Sequence, residues 1–328
     1  MKRLILLTLL STSASAQTLT KITQSFDTTK TRTNAVLVVK SNRMVGEYVR
    51  SKGILEKKFL LWSMSKTVSA LIIGKAIEDG HMKLSETVKA PITVKDLLQM
   101  SSGLDWDESY EDAPFRSNVV RMLYGPEASD MGEYILKTKQ KYKPGTRFKY
   151  SSGDTNLLQW FLKKKLGNAY SSYPWKVLFD PLDIRATFES DNQGMFVGAS
   201  YIYMSPRDLL KIAQLILQKG KWGGQQIISE EFITEMITAS EASVNKPKSR
   251  PDDPNHGYQI WLNRPSSNGK LPFKDLPPDS IFFLGHHGQM LGIFPQEEMI
   301  ILRSAYDRNR IDKNKFFKEI LEWARRQN

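Results

Sequence analysis

The chain has 328 residues, 40% of them hydrophobic and 25% charged, which are ordinary values for a globular protein with a packed core. It contains no cysteine, which excludes disulfide bonds and a cysteine nucleophile. The formal net charge is +12, but the lysine-rich stretches lack interleaved aromatic residues and a glycine-rich loop, so they do not indicate nucleic-acid binding. We ascribe this charge to a solvated surface that favours contact with an anionic cell envelope.

The N-terminus has the order of a secretory signal peptide. Positive charge at Lys2 and Arg3 precedes an apolar run at 4–10, and small residues follow up to Ala16. We therefore predict cleavage after Ala16 and a secreted or periplasmic protein. The apolar run is far shorter than the ~20 residues that span a bilayer, and no later segment comes close, so we expect no integral membrane span.

Strand-like runs are predicted near both ends of the chain. Three lie early, and a turn at 40–43 separates the first two: 35–39, 44–49 and 59–62. Four more lie late: 258–262, 281–284, 291–294 and 299–302.

Helical patterns fill the middle of the chain and close it. At 63–79 apolar residues recur at helical spacing until Gly80, which predicts a buried helix that begins at Ser63. The other helical runs are 96–100, 156–166, 207–219 and 316–324. This order predicts an α+β fold, in which terminal helices cover one antiparallel sheet and a mostly helical subdomain stands beside it, with a cleft between them.

Ser63 and Lys66 form an S-x-x-K motif at the start of the predicted helix. Residues three apart on a helix share a face, with about 5–6 Å between their Cβ atoms, so the lysine amine can reach the serine hydroxyl. The helix start favours negative charge on the serine oxygen and on an attacked carbonyl oxygen. Apolar flanks at 60–62 and 68–71 favour a partly dry site, in which the pKa of the lysine falls from about 10.4.

The motif is weak by itself, because it also occurs at 243–246 and 267–270, in polar sequence without a helix. The alternative is that Ser63 is only an N-cap.

Two further signatures follow in the chain. Residues 62–67 read W-S-M-S-K-T, 148–155 read F-K-Y-S-S-G-D-T, and 285–289 read G-H-H-G-Q. In this order they resemble the β-lactamase-related serine hydrolases, which include class C β-lactamases, penicillin-binding D-aminopeptidases, carboxylesterases and 6-aminohexanoate oligomer hydrolases. The resemblance covers nearly all of the predicted mature chain and implies no cofactor.

The resemblance implies the β-lactamase/DD-peptidase-like fold. After a signal peptide at 1–16, one serine hydrolase domain is expected at 17–328. Its sheet subdomain would comprise about 17–66 and 256–328, and its helical subdomain about 67–255.

The resemblance also implies the catalytic residues, Ser63, Lys66 and Tyr150. Tyr150 matches the tyrosine of the family motif Y-x-N, which moves a proton between the serine, the lysine and the leaving group. The asparagine of that motif is Ser152 here, which we expect to contact the substrate. Without the other motifs, Tyr150 would be read as an ordinary half-buried tyrosine at a turn.

The third signature replaces the family motif K-T-G. Alternation along a strand would send His286 and His287 to opposite faces, so only His286 is expected to face the substrate. Gly288 would let the substrate backbone approach closely, and the Gln289 N–H would join the Ser63 N–H in an oxyanion hole. The alternative is that His286 is a hydrogen-bonded edge-strand histidine.

These departures from Y-x-N and K-T-G argue against efficient β-lactam turnover. We predict an exported serine hydrolase that cleaves an amide or ester of a small acyl compound through a Ser63 acyl-enzyme. The alternatives are a β-lactamase-like or D-aminopeptidase-like enzyme, an acyltransferase, and a catalytically idle ligand-binding relative. No G-x-S-x-G or H-E-x-x-H motif occurs, so neither an α/β-hydrolase triad nor a metal mechanism is indicated.

Overall fold

The structure of the protein is a computed structural model that describes residues 13–110, 116–244, 254–266 and 269–327. Most of the predicted signal peptide, 1–12, lies outside these ranges, as do Lys246 and Ser267 of the two additional S-x-x-K matches. The helices of the described residues are α1 (Ser13–Ser25), α2 (Ser65–Glu78), α3 (Val94–Leu98), α4 (Asn118–Tyr124), α5 (Met131–Lys137), α6 (Ser152–Leu166), α7 (Pro206–Leu217), α8 (Glu230–Met236), α9 (Glu241–Val244) and α10 (Lys313–Arg325).

The strands of the same ranges are β1 (Thr33–Lys40), β2 (Arg43–Val49), β3 (Phe59–Leu60), β4 (Thr87–Lys89), β5 (Ile92–Thr93), β6 (Thr187–Phe188), β7 (Ile202–Met204), β8 (Lys221–Trp222), β9 (Gln225–Gln226), β10 (Asn255–His256), β11 (Trp261–Leu262), β12 (Ile281–Leu284), β13 (Met290–Phe294) and β14 (Met299–Ala305).

The main sheet has seven antiparallel strands in the order β10-β11-β12-β13-β14-β1-β2. Its centre joins the two ends of the chain, since β1 pairs with β14 and Leu37 lies opposite Leu302. The predicted α+β architecture with one antiparallel sheet built from both ends is confirmed. The run predicted at 59–62 does not join this sheet, because β3 pairs with β7 in a separate three-stranded sheet.

Both faces of the main sheet are buried, and the residues of β1 point alternately to one face and to the other. Ala35, Leu37 and Val39 face the helical side of the molecule, whereas Val36 and Val38 face the layer formed by α1 and α10. The apolar residues of α10 recur at helical spacing, so one stripe of this helix packs on the sheet. They are Phe316, Phe317, Ile320, Leu321 and Ala324.

On the opposite side of the sheet, α2 lies in the middle of the helical layer. Residues 65–74 of this helix are all buried, on every side, as expected for a helix that other elements surround. Helices α6 and α7 contribute to the same core, so α2 gives the site a rigid base.

Helix α1 packs against α10. Leu19 is fully buried, and the Trp323 indole N–H donates to the Ser15 carbonyl at 3.3 Å. The predicted cleavage after Ala16 would fall inside this helix and would leave Leu19 in place. Among the described residues, no helix combines the length and the apolar character needed to cross a bilayer.

Candidate active site

A tight turn delivers Ser63 to the start of α2. Trp62–Met64 is a single 3₁₀ turn, and Trp62 has left-handed backbone angles (φ 50°), which cost a non-glycine residue about 1–3 kcal/mol. The side chains of Leu61 and Met64 are fully buried on either side and hold the turn in place. The α-helix therefore begins at Ser65, two residues later than predicted, and a strained turn presents Ser63.

Lys66 is buried directly beside this serine. Only 1% of its surface is exposed, and its Nζ lies 3.2 Å from the Ser63 Oγ and 2.9 Å from the Ala199 carbonyl oxygen. Burial lowers the pKa of Lys66 to about 8, while the negative charge of Glu108 acts in the opposite direction. A substantial fraction of the lysine is therefore a neutral amine near pH 8, and a neutral amine can accept the serine proton.

Tyr150 lies in the loop before α6, on the side of the site that holds Lys66. The Lys66 Nζ stands 5.0 Å from the centre of its ring, and Ser63 is the neighbour that acts to lower the pKa of its hydroxyl. The ring stacks on Trp261 at 5.1 Å, which fixes its orientation. Burial raises the pKa of the Tyr150 hydroxyl well above its ordinary value, and the charge of Glu108 adds to this effect. Tyr150 is therefore a phenol that can donate a proton.

Glu108 is a site residue that the sequence analysis missed. Its carboxylate accepts three hydrogen bonds, from the Ser152 N–H (2.8 Å), the Ser152 hydroxyl (2.5 Å) and the Trp106 indole N–H (2.6 Å). Ser152 is fully buried by these contacts. The Ser152 hydroxyl is thus directed at Glu108, and contact of Ser152 with the substrate stays a prediction.

The third signature forms a turn and not a strand. His286–Gly288 is a 3₁₀ turn in which His287 has left-handed backbone angles (φ 54°). The predicted placement of His286 and His287 on opposite faces is wrong, because the turn brings both rings next to Trp62, at 5.4 and 5.6 Å. His286 is exposed and stacks on Tyr110 at 5.7 Å.

Gly288 and Gln289 complete this turn. Gly288 has φ +78°, and a Cβ on it would lie 2.1 Å from an Asp307 oxygen, so the turn requires a glycine whether or not a substrate is bound. The Gln289 N–H donates to the His286 carbonyl at 3.3 Å. The oxyanion-hole role of the Ser63 and Gln289 N–H groups stays a prediction, as does substrate contact by His286 and Gly288.

A buried ion pair supports the turn from below. The Arg303 guanidinium, which is 0% exposed, binds both carboxylate oxygens of Asp307 at 2.7 and 3.1 Å. It also donates to the Gly288 carbonyl at 3.0 Å, while the His287 Nδ1–H donates to the Asp307 carbonyl at 2.9 Å. Strand β14 thereby fixes the position of the turn at 286–288.

Asp154 lies fully buried in the first turn of α6. One of its carboxylate oxygens accepts from the Ser102 and Ser151 hydroxyls, and the other has no hydrogen-bond partner among the described residues. Burial raises the pKa of Asp154 to about 7. Within the same ranges, no three His, Asp or Glu side chains come together in a way that could hold a metal ion.

Most of the chain matches a known protein family. The profile described as Beta-lactamase matches residues 20–305. The 6-aminohexanoate-dimer hydrolase of Paenarthrobacter ureafaciens is 22% identical over 295 residues, which cover 84% of this chain and 72% of that protein.

Two solved structures illustrate the similarity of the fold. The hydrolase EstCE1, described as having promiscuous acyltransferase activity, superimposes with a TM-score of 0.69 at 16% identity and covers 95% of this chain and 99% of its own. The octameric penicillin-binding protein homologue of Pyrococcus abyssi has a TM-score of 0.66 at 18% identity and covers 96% of this chain and 77% of its own.

Proposed function

The chain belongs to the beta-lactamase family, and from this premise we propose that it cleaves an amide or ester bond of a small acyl compound through an acyl-enzyme on Ser63. It is a serine hydrolase related to 6-aminohexanoate-dimer hydrolase and to esterases. One observation carries the proposal: the buried Lys66 amine lies 3.2 Å from the Ser63 hydroxyl and 5.0 Å from the centre of the Tyr150 ring.

In the first half of the reaction, neutral Lys66 takes the proton of the Ser63 hydroxyl as the oxygen attacks the substrate carbonyl. The tetrahedral oxyanion forms beside the start of α2, where backbone N–H groups favour negative charge. The Tyr150 phenol protonates the departing nitrogen or oxygen and recovers its proton from the Lys66 ammonium. The products of this half are the Ser63 ester, a free amine or alcohol, and neutral Lys66.

In the second half, a water molecule gives a proton to Lys66 and attacks the ester carbonyl. The tetrahedral intermediate then expels the Ser63 oxygen, which takes back the proton from Lys66. The carboxylic acid leaves, and the site returns to its starting protonation state.

Intact-mass spectrometry tests this proposal. The protein and its Ser63→Ala variant are exposed separately to a fluorophosphonate, a penicillin and a p-nitrophenyl ester. We expect a fluorophosphonate adduct and ester turnover that both require Ser63, with little penicillin turnover, because His286 and Ser152 stand where the family motifs have lysine and asparagine. A folded Ser63→Ala variant that keeps the full rate would contradict the mechanism. Product analysis with a competing alcohol distinguishes hydrolysis from acyl transfer.

We also propose that the protein is exported and cleaved after Ala16. The charge, the apolar run and the small residues of 1–16 support this, and the net charge of +12 supports contact with an anionic envelope. N-terminal sequencing of the protein recovered from outside the cytoplasm is expected to begin at Gln17. Recovery only from the cytoplasm, with an intact N-terminus, would reject export.

A further inference from the structure

Glu108 places a carboxylate beside Tyr150, and no described residue forms an ion pair with it. The hydrogen bonds that the structure gives this carboxylate among the described residues come from neutral donors, two on Ser152 and one on Trp106. These three bonds hold it at the first turn of α6, next to Tyr150. Glu108 itself is only partly buried, so the residue is not sealed off from solvent.

The groups around Glu108 do not cancel its charge when the enzyme is ready to react. Lys66 carries the nearby positive charge, but it must be neutral to accept the serine proton. Asp154 can add negative charge and cannot remove it. The guanidinium of Arg303 is already neutralised by Asp307, to which it binds through two hydrogen bonds. Among these groups, all of which lie in the described part of the chain, the negative charge of Glu108 is therefore not compensated when Lys66 is neutral.

The aromatic side chains near Glu108 also favour a positively charged ligand. Tyr110 and Tyr150 lie within the electrostatic reach of Glu108, and the Tyr110 ring stacks on His286 while Trp62 packs beside that histidine. The faces of aromatic rings attract cations, most strongly where water is excluded. A carboxylate with aromatic neighbours is therefore a suitable environment for an ammonium group.

We infer that Glu108 is a specificity-determining residue, whose carboxylate selects amide and ester substrates that carry an ammonium group near the scissile bond and disfavours those that carry a carboxylate there. This inference rests on the proposed function, because it concerns substrates that acylate Ser63. The selection acts through charge, so it differs from the support that Glu108 gives to α6 by accepting hydrogen bonds.

Three p-nitrophenyl esters test the inference. Their acyl chains have equal length and end in a trimethylammonium, a tert-butyl or a carboxylate group, and the first two differ in charge and little in shape. For the Glu108→Gln variant, kcat/KM for the ammonium ester is divided by kcat/KM for the neutral ester. We expect this ratio to fall by about tenfold, because the variant loses one partly screened attraction between opposite charges. The corresponding ratio for the carboxylate ester is expected to rise.

One variant serves as the control. Glu133→Gln removes the same charge from the exposed Glu133–Lys137 pair on α5. It is expected to leave the ratios unchanged. If Glu108→Gln lowers kcat/KM for all three esters by one common factor, Glu108 only supports α6 and the inference is wrong.

A second measurement needs no variant. In the wild-type protein, added salt is expected to reduce the preference for the ammonium ester over the neutral one, because salt screens the charge of the partly exposed Glu108. No preference for the ammonium ester at low salt would overturn the inference even if Glu108→Gln fails to fold. Absence of any Ser63 adduct and of turnover with all three esters would instead reject the proposed function.

Discussion

Lys66 combines burial with a hydrogen bond to Ser63, and these two features predict how activity depends on pH. The pKa of Lys66 is lowered to about 8, and the lysine must be deprotonated to act as a base. The kcat/KM for a neutral ester should therefore rise with pH and reach half of its maximum near pH 8. Stopped-flow or steady-state rates between pH 5 and 10 measure this midpoint.

Two variants distinguish the contribution of Lys66 to the pH profile from that of Tyr150. Lys66→Ala should lose at least about 10²-fold in kcat/KM and should lose the limb near pH 8. Tyr150→Phe should lose a similar factor but keep the midpoint, because the phenol is protonated over this range. If the midpoint of the pH profile changed in Tyr150→Phe and not in Lys66→Ala, the tyrosine would be the base and the lysine the acid.

The residues of the site differ in how far the sequence could reveal them. Ser63 and Lys66 were predicted because residues three apart on a helix share a face, which brings the serine hydroxyl and the lysine amine together. Glu108 was missed, since its partner Ser152 is 44 positions away and a single acidic residue in a mixed segment has no diagnostic spacing. The aromatic segment around it, W-D-E-S-Y at 106–110, was the only signal, and it does not tell a buried carboxylate from an exposed one.

At the scale of elements, the first turn of α6 holds a carboxyl group whose burial makes stability depend on pH. The pKa of Asp154 is raised from 3.8 to about 7 in the folded protein, so folding favours its protonated form. This contribution to the free energy of unfolding is fully present below about pH 4 and is lost as the pH rises through about 7.

Asp154→Asn should remove that pH dependence. Relative to the wild-type protein, its Tm should increase steadily as the pH rises from 4 to 7 and should then level off. Thermal unfolding across this range measures the difference, and Asp180→Asn, at an exposed position, is the matched control. A Tm difference between Asp154→Asn and wild type that stays constant with pH would contradict the assignment.

The turn at 286–288 and strand β14 are joined by the Arg303–Asp307 pair, which gives a second prediction at this scale. Arg303→Met leaves Asp307 charged and buried without its partner, which should cost about 3–5 kcal/mol of unfolding free energy. Replacing both residues, by Met and Leu, should restore much of that stability because no buried charge is left unpaired. Denaturant unfolding of the single and double variants measures both changes.

Activity should separate from stability in the same pair of variants. The double variant still lacks the guanidinium that binds the Gly288 carbonyl, so its kcat/KM should remain low although its stability recovers. Full recovery of activity would show that the ion pair does not position the turn.

This turn also explains an error of the sequence analysis. Apolar runs on both sides of the third signature predicted a continuous strand, and alternation then separated His286 from His287. The chain instead turns, because Gly288 and the left-handed His287 let the carbonyl at 288 meet Arg303. That contact joins the turn to β14, which lies later in the chain, so the local pattern contains no sign of it.

At the scale of the whole molecule, the arrangement of layers followed from the order of the predicted elements. Because strands occur at both ends of the chain with helices between them, one sheet must combine strands from the two ends. The apolar stripes of the terminal helices must be buried, so these helices cover that sheet. The partners of short strands were less predictable. The run at 59–62 has the composition of a strand, but nothing in its pattern distinguishes β7 from the main sheet as its neighbour.

The pairing of β1 with β14 has a consequence for how the enzyme becomes active. Leu37 and Leu302 meet only after a very long loop has closed, and such contacts form late because their entropy cost must be met first. Ser63, Tyr150 and the turn at 286–288 come from three separate parts of the chain that this closure brings together. During refolding, helical structure should therefore return well before hydrolysis does, and the first turnover of substrate marks the end of folding.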